Sequence, residues 1–263
     1  MLFVKNLPFT NVVANGVASV SLPVGMSYNR IILALGGTFT KAMITNLKVR
    51  LNGKVIMENT GSRLDLINTY RGMGVSATYL VIDFTEPRAK DMAEQFIGNL
   101  NTAQGVSSLT LEVTIAGATS PTLDSYSELA PPAPLGVIAK QILFTSSFGG
   151  AGKFGFKLID IANKGAVIKR VHFAHGGNMT ALEVKKNGIV IFDNILTAVN
   201  TFNHLDYKKV AQTNLYTFDP CNDDNYANAI KTADMVSLEF NPTFSASDTV
   251  TAVVEALDVL GNM

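Results

Sequence analysis

One thirteen-residue pattern occurs twice. LKVRLNGKVIMEN at 47–59 and LEVKKNGIVIFDN at 182–194 share an alternating apolar run, an Asn-Gly pair, a second apolar run and an acid-Asn ending. A lone Asn-Gly pair between such runs marks a tight hairpin, because both turn positions favour positive φ. Two alike could be unrelated hairpins, so their surroundings decide. RIILALGGTFT at 30–40 precedes the first and RVHFAHGGNMT at 170–180 the second, and LINTY at 66–70 and AVNTF at 198–202 follow. Several matches in one order, with drifting spacing, point to a duplicated domain whose loops differ in length. Each copy has an ordinary domain size.

The predicted halves are 1–130 and 137–263, joined by a linker at 131–136. That linker carries Pro131, Pro132 and Pro134, which cannot donate to a ladder and favour stiff extended chain. Within the halves the dominant period is two. Leu109, Leu111, Val113 and Ile115 alternate with polar residues, as do Val236, Leu238 and Phe240, and Val250, Ala252, Val254 and Ala256. Such strands are half-buried and antiparallel. Short strands separated by Gly, Asn and Pro predict β-sandwiches rather than βαβ units. One stretch per half breaks the period. Ala89, Met92, Ala93, Phe96, Ile97 and Leu100 fall at helical spacing after Pro87. Tyr226, Ala229, Ile230 and Ala233 do the same, with Asp223 or Asp224 as N-cap. The expectation is an all-β chain of two tandem sandwiches with one helix inserted in each.

Composition narrows the function. Charged residues are 16% of 263, and 21 basic residues balance 21 acidic ones. That balance argues against a basic nucleic-acid binder, and a low, balanced charge fits a surface that is covered in use. One cysteine, Cys221, excludes a disulfide framework. No run of about 18 apolar residues occurs, so no transmembrane helix is expected. The start, MLFVKNLPFTN, does not resemble a secretory signal. The expected product is soluble and made in a reducing compartment.

Chemistry is sparse. SSFGGAGKFG at 146–155 lacks two essentials of a phosphate loop, with Ser147 and Phe154 at the required Gly and Ser/Thr positions; it reads as a glycine-rich turn. His172 and His175 lie three apart in a strand-like run, predicting one packed and one solvent-facing ring, and neither they nor His204 sits in a ligand cluster. Cys221 has no basic neighbour and reads as an inert thiol. DPCNDDN at 219–225 gathers oxygen ligands, making Asp219, Asp223 and Asp224 the calcium candidates. It lacks the spacing and distal Glu of a calcium loop, and helix capping accounts for it without metal. Asn178-Met179-Thr180 matches a glycosylation triplet without a secretory context. No catalytic residues and no cofactor are predicted.

The order of short motifs resembles the double jelly-roll major capsid proteins of icosahedral, tailless, internal-membrane phages of the corticovirus type. The likeness rests on Leu7, Asn11, Val12 and Ala14, on Leu22, Pro23, Gly25 and Tyr28, and on ITNLKVRLNGK at 44–54. In the second half it continues through LYTFD at 215–219, VSLEF at 236–240 and VVE at 253–255. Departures are the nearly uncharged YRGMGV at 70–75, where the family has a basic segment, and the absence of tryptophan.

The resemblance implies two jelly rolls and a structural protein of the virion capsid, assembled in the host cytoplasm. It further implies a homotrimer forming a pseudo-hexagonal capsomer, packed with neighbouring capsomers over an internal membrane. Penton and minor membrane-associated proteins would be the other partners, with no sequence-specific nucleic-acid contact. Short loops predict a low outer surface without tower domains. The competing readings are a glycan-processing amidase-like enzyme and a carbohydrate-binding or spike module on paired jelly rolls. Absent tryptophan weighs against the first, and two halves of matched length against the second.

Overall fold

The computed structural model describes residues 2–157 and 165–262; the expected halves run beyond these at residues 1, 158–164 and 263. The first half comprises β1 (Leu2–Lys5), β2 (Gly16–Leu22), β3 (Ser27–Gly36), β4 (Ile44–Leu51), β5 (Lys54–Asn59), helix α1 (Gly61–Tyr70), β6 (Tyr79–Asp83), the single turn α2 (Met92–Gln95), β7 (Leu100–Asn101), β8 (Leu109–Ile115) and β9 (Thr122–Ala130). After the prolines come β10 (Val137–Phe148), β11 (Gly152–Lys153), β12 (Phe156–Lys157), β13 (Val167–Ala174), β14 (Met179–Lys186) and β15 (Ile189–Leu196). Helix α3 (Thr197–Asp206), β16 (Leu215–Phe218), β17 (Ile230–Lys231), β18 (Leu238–Phe244) and β19 (Asp248–Val259) complete the chain.

The two halves repeat one topology. β1-β9-β3-β6 faces β2-β8-β4-β5, and β10-β19-β13-β16 faces β11/β12-β18-β14-β15. This interleaved strand order in two sheets is a jelly roll. Each half has an apolar core drawn from both of its sheets, and the first also takes in Ile138 and Ala139 of β10. The alternation read from sequence is the packing: Leu109, Leu111, Val113 and Ile115 are buried while the residues between them are partly exposed.

Both Asn-Gly pairs form the expected turn. Asn52 and Gly53 have φ of 50° and 78°, Asn187 and Gly188 of 53° and 79°. The two asparagines then do one further job alike. Asn52 Oδ1 accepts from Ser107 N at 2.7 Å and Ser108 N at 3.3 Å, and Asn187 Oδ1 accepts from Val236 N at 2.7 Å and Ser237 N at 3.2 Å. Strand irregularities recur as well. The β3–β9 register slips at Asn29 and the β13–β19 register at Lys169, each just before an arginine. Unrelated hairpins would not share such slips, which are specific features rather than defects.

The helices stand elsewhere than expected. Residues 88–100 hold only α2, capped by Asp91. Gly98, with φ of 87°, ends the helical run because its backbone presses on the second half. A Cβ there would lie 2.8 Å from Leu257 Cδ2, and Leu100 is captured by β3. Residues 226–233 hold a 3-10 turn, Tyr226–Asn228, capped by Asn225 rather than by Asp223 or Asp224, followed by β17. The inserted helices are α1 and α3, which contain the repeated LINTY and AVNTF segments. In each the shared asparagine bonds a β-strand carbonyl: Asn68 Nδ2 donates to Val81 O at 2.8 Å, and Asn200 Nδ2 to Thr217 O at 2.9 Å.

The proline connector is tied to the first half, with Ser27 Oγ donating to Pro131 O at 2.8 Å and Leu135 N to Gln104 O at 3.1 Å. Within the glycine-rich stretch 146–155, residues 149–151 form the expected connection between strands, linking the end of β10 to β11. Among the described residues no domain is inserted between strands.

Candidate functional site

The most chemically loaded region is the seam between the halves. β5 and β10 meet there in parallel, Met57 opposite Gln141, joining two sheets into one of nine strands. Beside this contact the loop after β6 delivers Glu86 onto the bulged β13. Lys169 Nζ donates to Glu86 Oε1 at 2.5 Å, Arg170 Nη1 and Nη2 donate to Oε1 and Oε2 at 3.2 and 3.1 Å, and Arg71 Nη2 donates to Oε2 at 2.9 Å. Tyr226 donates to Glu86 Oε2 at 2.6 Å and accepts from Arg170. Arg170 also reaches Glu255 at 2.8 Å and Asp219 at 3.3 Å. The bulge at Lys169 lets consecutive cations of one strand converge on a single carboxylate.

All of these side chains are buried. Three cations, Arg71, Lys169 and Arg170, face four carboxylates, Asp83, Glu86, Asp219 and Glu255. Burial pushes Glu86 up, but Arg170, Arg71 and Lys169 outweigh it and hold the carboxyl well below its usual range. Glu255 is likewise held low against burial, by His172, whose Nε2 stands 3.6 Å away, and by Arg170. Asp83 goes the other way: burial raises it, and Arg71 stands 3.6 Å off, too far to reverse that. Such a cluster is costly to desolvate, and its contacts tie the loop after β6 of the first half to β13 of the second.

Tyr70 closes the cluster. Its hydroxyl lies 2.9 Å from Asp219 Oδ2 and 3.1 Å from His204 Nδ1, while His204 Nε2 lies 3.0 Å from Thr217 O. The carbonyl accepts, so neutral His204 carries its proton on Nε2 and Nδ1 becomes an acceptor. Tyr70 thus has one proton for two acceptors. Burial lowers His204 and raises Tyr70 well above the ordinary phenol range.

The sequence candidates fall in and around this seam. Asp219 is committed to Arg170 and Tyr70. Asp223 accepts from Asn225 N at 3.2 Å and faces Lys90 at 3.6 Å, and Asp224 pairs with Lys209. Among the described residues no three His, Cys, Asp or Glu side chains form a metal-holding group. Cys221 is fully buried; burial first, then Asp219, pushes its thiol up to about 12. His172 is packed, with Nδ1 2.9 Å from Thr217 Oγ1. His175 does not face solvent as expected: its side chain is 6% exposed. It lies past the end of β13, where strand alternation no longer applies, and its Nδ1 accepts from Gly177 N. Sequence reading missed Glu86, Tyr70 and Tyr226. The repeated Arg30 and Arg170 were the visible signal, an arginine opening an apolar run.

The cavity beside Glu86 and Arg170 is about 10 Å³, room for one water at most. The seam joins protein to protein and has no space for a substrate.

Models of two families, described as the viral coat protein P2 N-terminal domain and the viral coat protein P2 C-terminal domain, match residues 3–130 and 138–260. Among solved structures, the major capsid protein P2 from bacteriophage PM2 superposes with a TM-score of 0.92 at 21% identity, covering 98% of this chain and 97% of that one. The STIV MCP gives 0.76 at 12% identity, covering 98% and 96%. The Faustovirus major capsid protein gives 0.65 at 7% identity, covering 98% and 89%. At these identities the likeness establishes the fold, a double jelly roll. No curated protein sequence matches the chain.

Proposed function

The chain belongs to the viral coat protein P2 family, a structural protein of the virion capsid and not an enzyme, and from that premise we propose that three copies close into a pseudo-hexagonal capsomer. The observation that carries this is the asymmetry of the seam. The β5 edge of the first half is covered by β10 of the second, while the corresponding β15 edge stays open. A head-to-tail contact of this kind repeats, and it yields a ring if the rotation closes. With two similar halves per chain, three chains supply six similar sectors.

In this reading the chain divides into jelly rolls at 1–130 and 137–263, with 131–136 as the connector. Capsomers pack side by side into an icosahedral shell, assembled in the host cytoplasm, with penton and minor membrane-associated proteins as partners. That the shell encloses a membrane rests on the family resemblance; no helix among the described residues is long and apolar enough to cross one. Assembly proceeds by burial of surface, with no chemical step and no assigned ion.

Light scattering on the purified protein tests the trimer, with an expected mass of three times 28.2 kDa. A monomer at high concentration would overturn it. Electron microscopy of the particles tests the lattice, where hexagonally packed tiles are expected.

A further inference from the structure

Helix α3 is built inside out. Val199, Phe202 and Leu205 point to solvent, 51%, 72% and 58% exposed, while Asn200 and His204 are buried. A helix that buries its polar residues and exposes its apolar ones has a partner still to come.

The duplication identifies that partner. Asn68 and Asn200 make the same bond to equivalent strands, and two residues on stand Tyr70 and Phe202. Tyr70 is 1% exposed, lodged in the seam with its ring edge-on to His172 at 5.5 Å. His172 lies two residues past Arg170, and Ile32 two past Arg30. Arg30 and Arg170 correspond because each sits after a register slip and pairs with a glutamate, Glu128 and Glu255. Ile32 is therefore the counterpart of His172. It lines an outward apolar groove of about 400 Å³ with Phe3, Tyr79, Val81 and Tyr126.

We propose that Phe202 of one copy seats in this groove of the next copy, repeating between chains the contact that Tyr70 makes on His172 within one. The proposal rests on the trimer reading and names its contact.

A second route leads to the same surfaces. Within the chain β5 runs alongside β10, with Met57 opposite Gln141. The counterpart of Met57 is Phe192, since Val49 pairs Met57 and Val184 pairs Phe192. The counterpart of Gln141 is Phe3, since Gln141 lies opposite Glu255 and Phe3 opposite Glu128. So the open β15 edge, with Ile189 70% exposed, meets β1 of the next copy, and Phe3 belongs to that copy's groove. The change in chemistry between the two versions is consistent. The internal seam forms between tethered halves at high effective concentration, and polar contacts suffice. Contacts between copies must gather free chains, which apolar burial drives.

Light scattering on Phe202→Glu tests the proposal. The wild type is expected at three chains and the variant at one, with an unchanged far-UV circular dichroism spectrum, because Phe202 is 72% exposed in the single chain, and with a melting temperature lowered only by the stabilisation that association supplies. A Phe202→Cys, Ile32→Cys chain gives an independent readout: oxidation should produce species of two and three chain masses on a denaturing gel. A wild-type trimer that survives Phe202→Glu, or a cysteine pair that does not link, overturns this contact and leaves the trimer reading standing. A monomeric wild type overturns both.

Discussion

Arg170 grips Glu86 with both of its terminal nitrogens, at 3.2 and 3.1 Å, and neither side chain is more than 4% exposed. The two come from different halves, so their contact decides how one jelly roll sits on the other. Removing one member strands the rest. In Glu86→Gln the cations of Arg71, Lys169 and Arg170 stay buried with their central counter-charge gone. A loss of about 3–5 kcal/mol is expected, read as a fall in calorimetric melting temperature.

The duplication supplies an internal control for that number. Arg30 pairs with Glu128 at 2.6 Å in the place equivalent to Arg170 and Glu255, but its side chain is 38% exposed. Solvent screens it, and Arg30→Ala should cost about 1 kcal/mol or less in the isolated chain. Equal losses for Arg30→Ala and Arg170→Ala would contradict the burial argument.

Acid should weaken the fold in two stages. Glu86 and Glu255 are held below their ordinary value of 4.5, so the unfolded chain takes up their protons first as pH falls. The stability they contribute is complete above pH 4.5 and drains away below it. His204 and His175, lowered from 6.5 by burial, add a milder penalty that begins nearer pH 6.5, because the unfolded chain protonates there and the folded one resists. Melting temperatures at pH 7.5, 5.5 and 4 should step downward, and the first step should shrink in His204→Gln.

Asn52 and Asn187 should behave as twins. Replacement by Ala imposes positive φ on a residue that resists it and releases the clamped loop, at about 2–3 kcal/mol in either half. Replacement by Gly keeps the turn and loses only the clamp, about 1 kcal/mol. Thermal melts of the four variants check the equivalence, which fails if one half tolerates Ala.

Cys221 should be silent in the native protein. Its thiol is buried and pushed up to about 12, leaving almost no thiolate at pH 8. Iodoacetamide should label it only after unfolding; rapid native labelling would mean the seam opens.

What sequence alone determined here is what local physics controls. The two Asn-Gly turns follow from the φ tolerance of two residues, and the strand faces from an alternation set by the pleat. The duplication needs only matching order, and the motif order carried the family. The helices escaped for an equally physical reason. Residues 88–100 have helical spacing, but Gly98 presses on Leu257 of the other half, a contact no local pattern encodes. In α3 the inward residues are Asn200 and His204, so a reading that sends apolar residues inward finds no helix. The seam was less legible still. Glu86 reads as a loop carboxylate, and its burial is possible only because Lys169 and Arg170 arrive 83 and 84 positions later. A buried charge is tolerated where its partners converge, and only the tertiary structure brings those partners together.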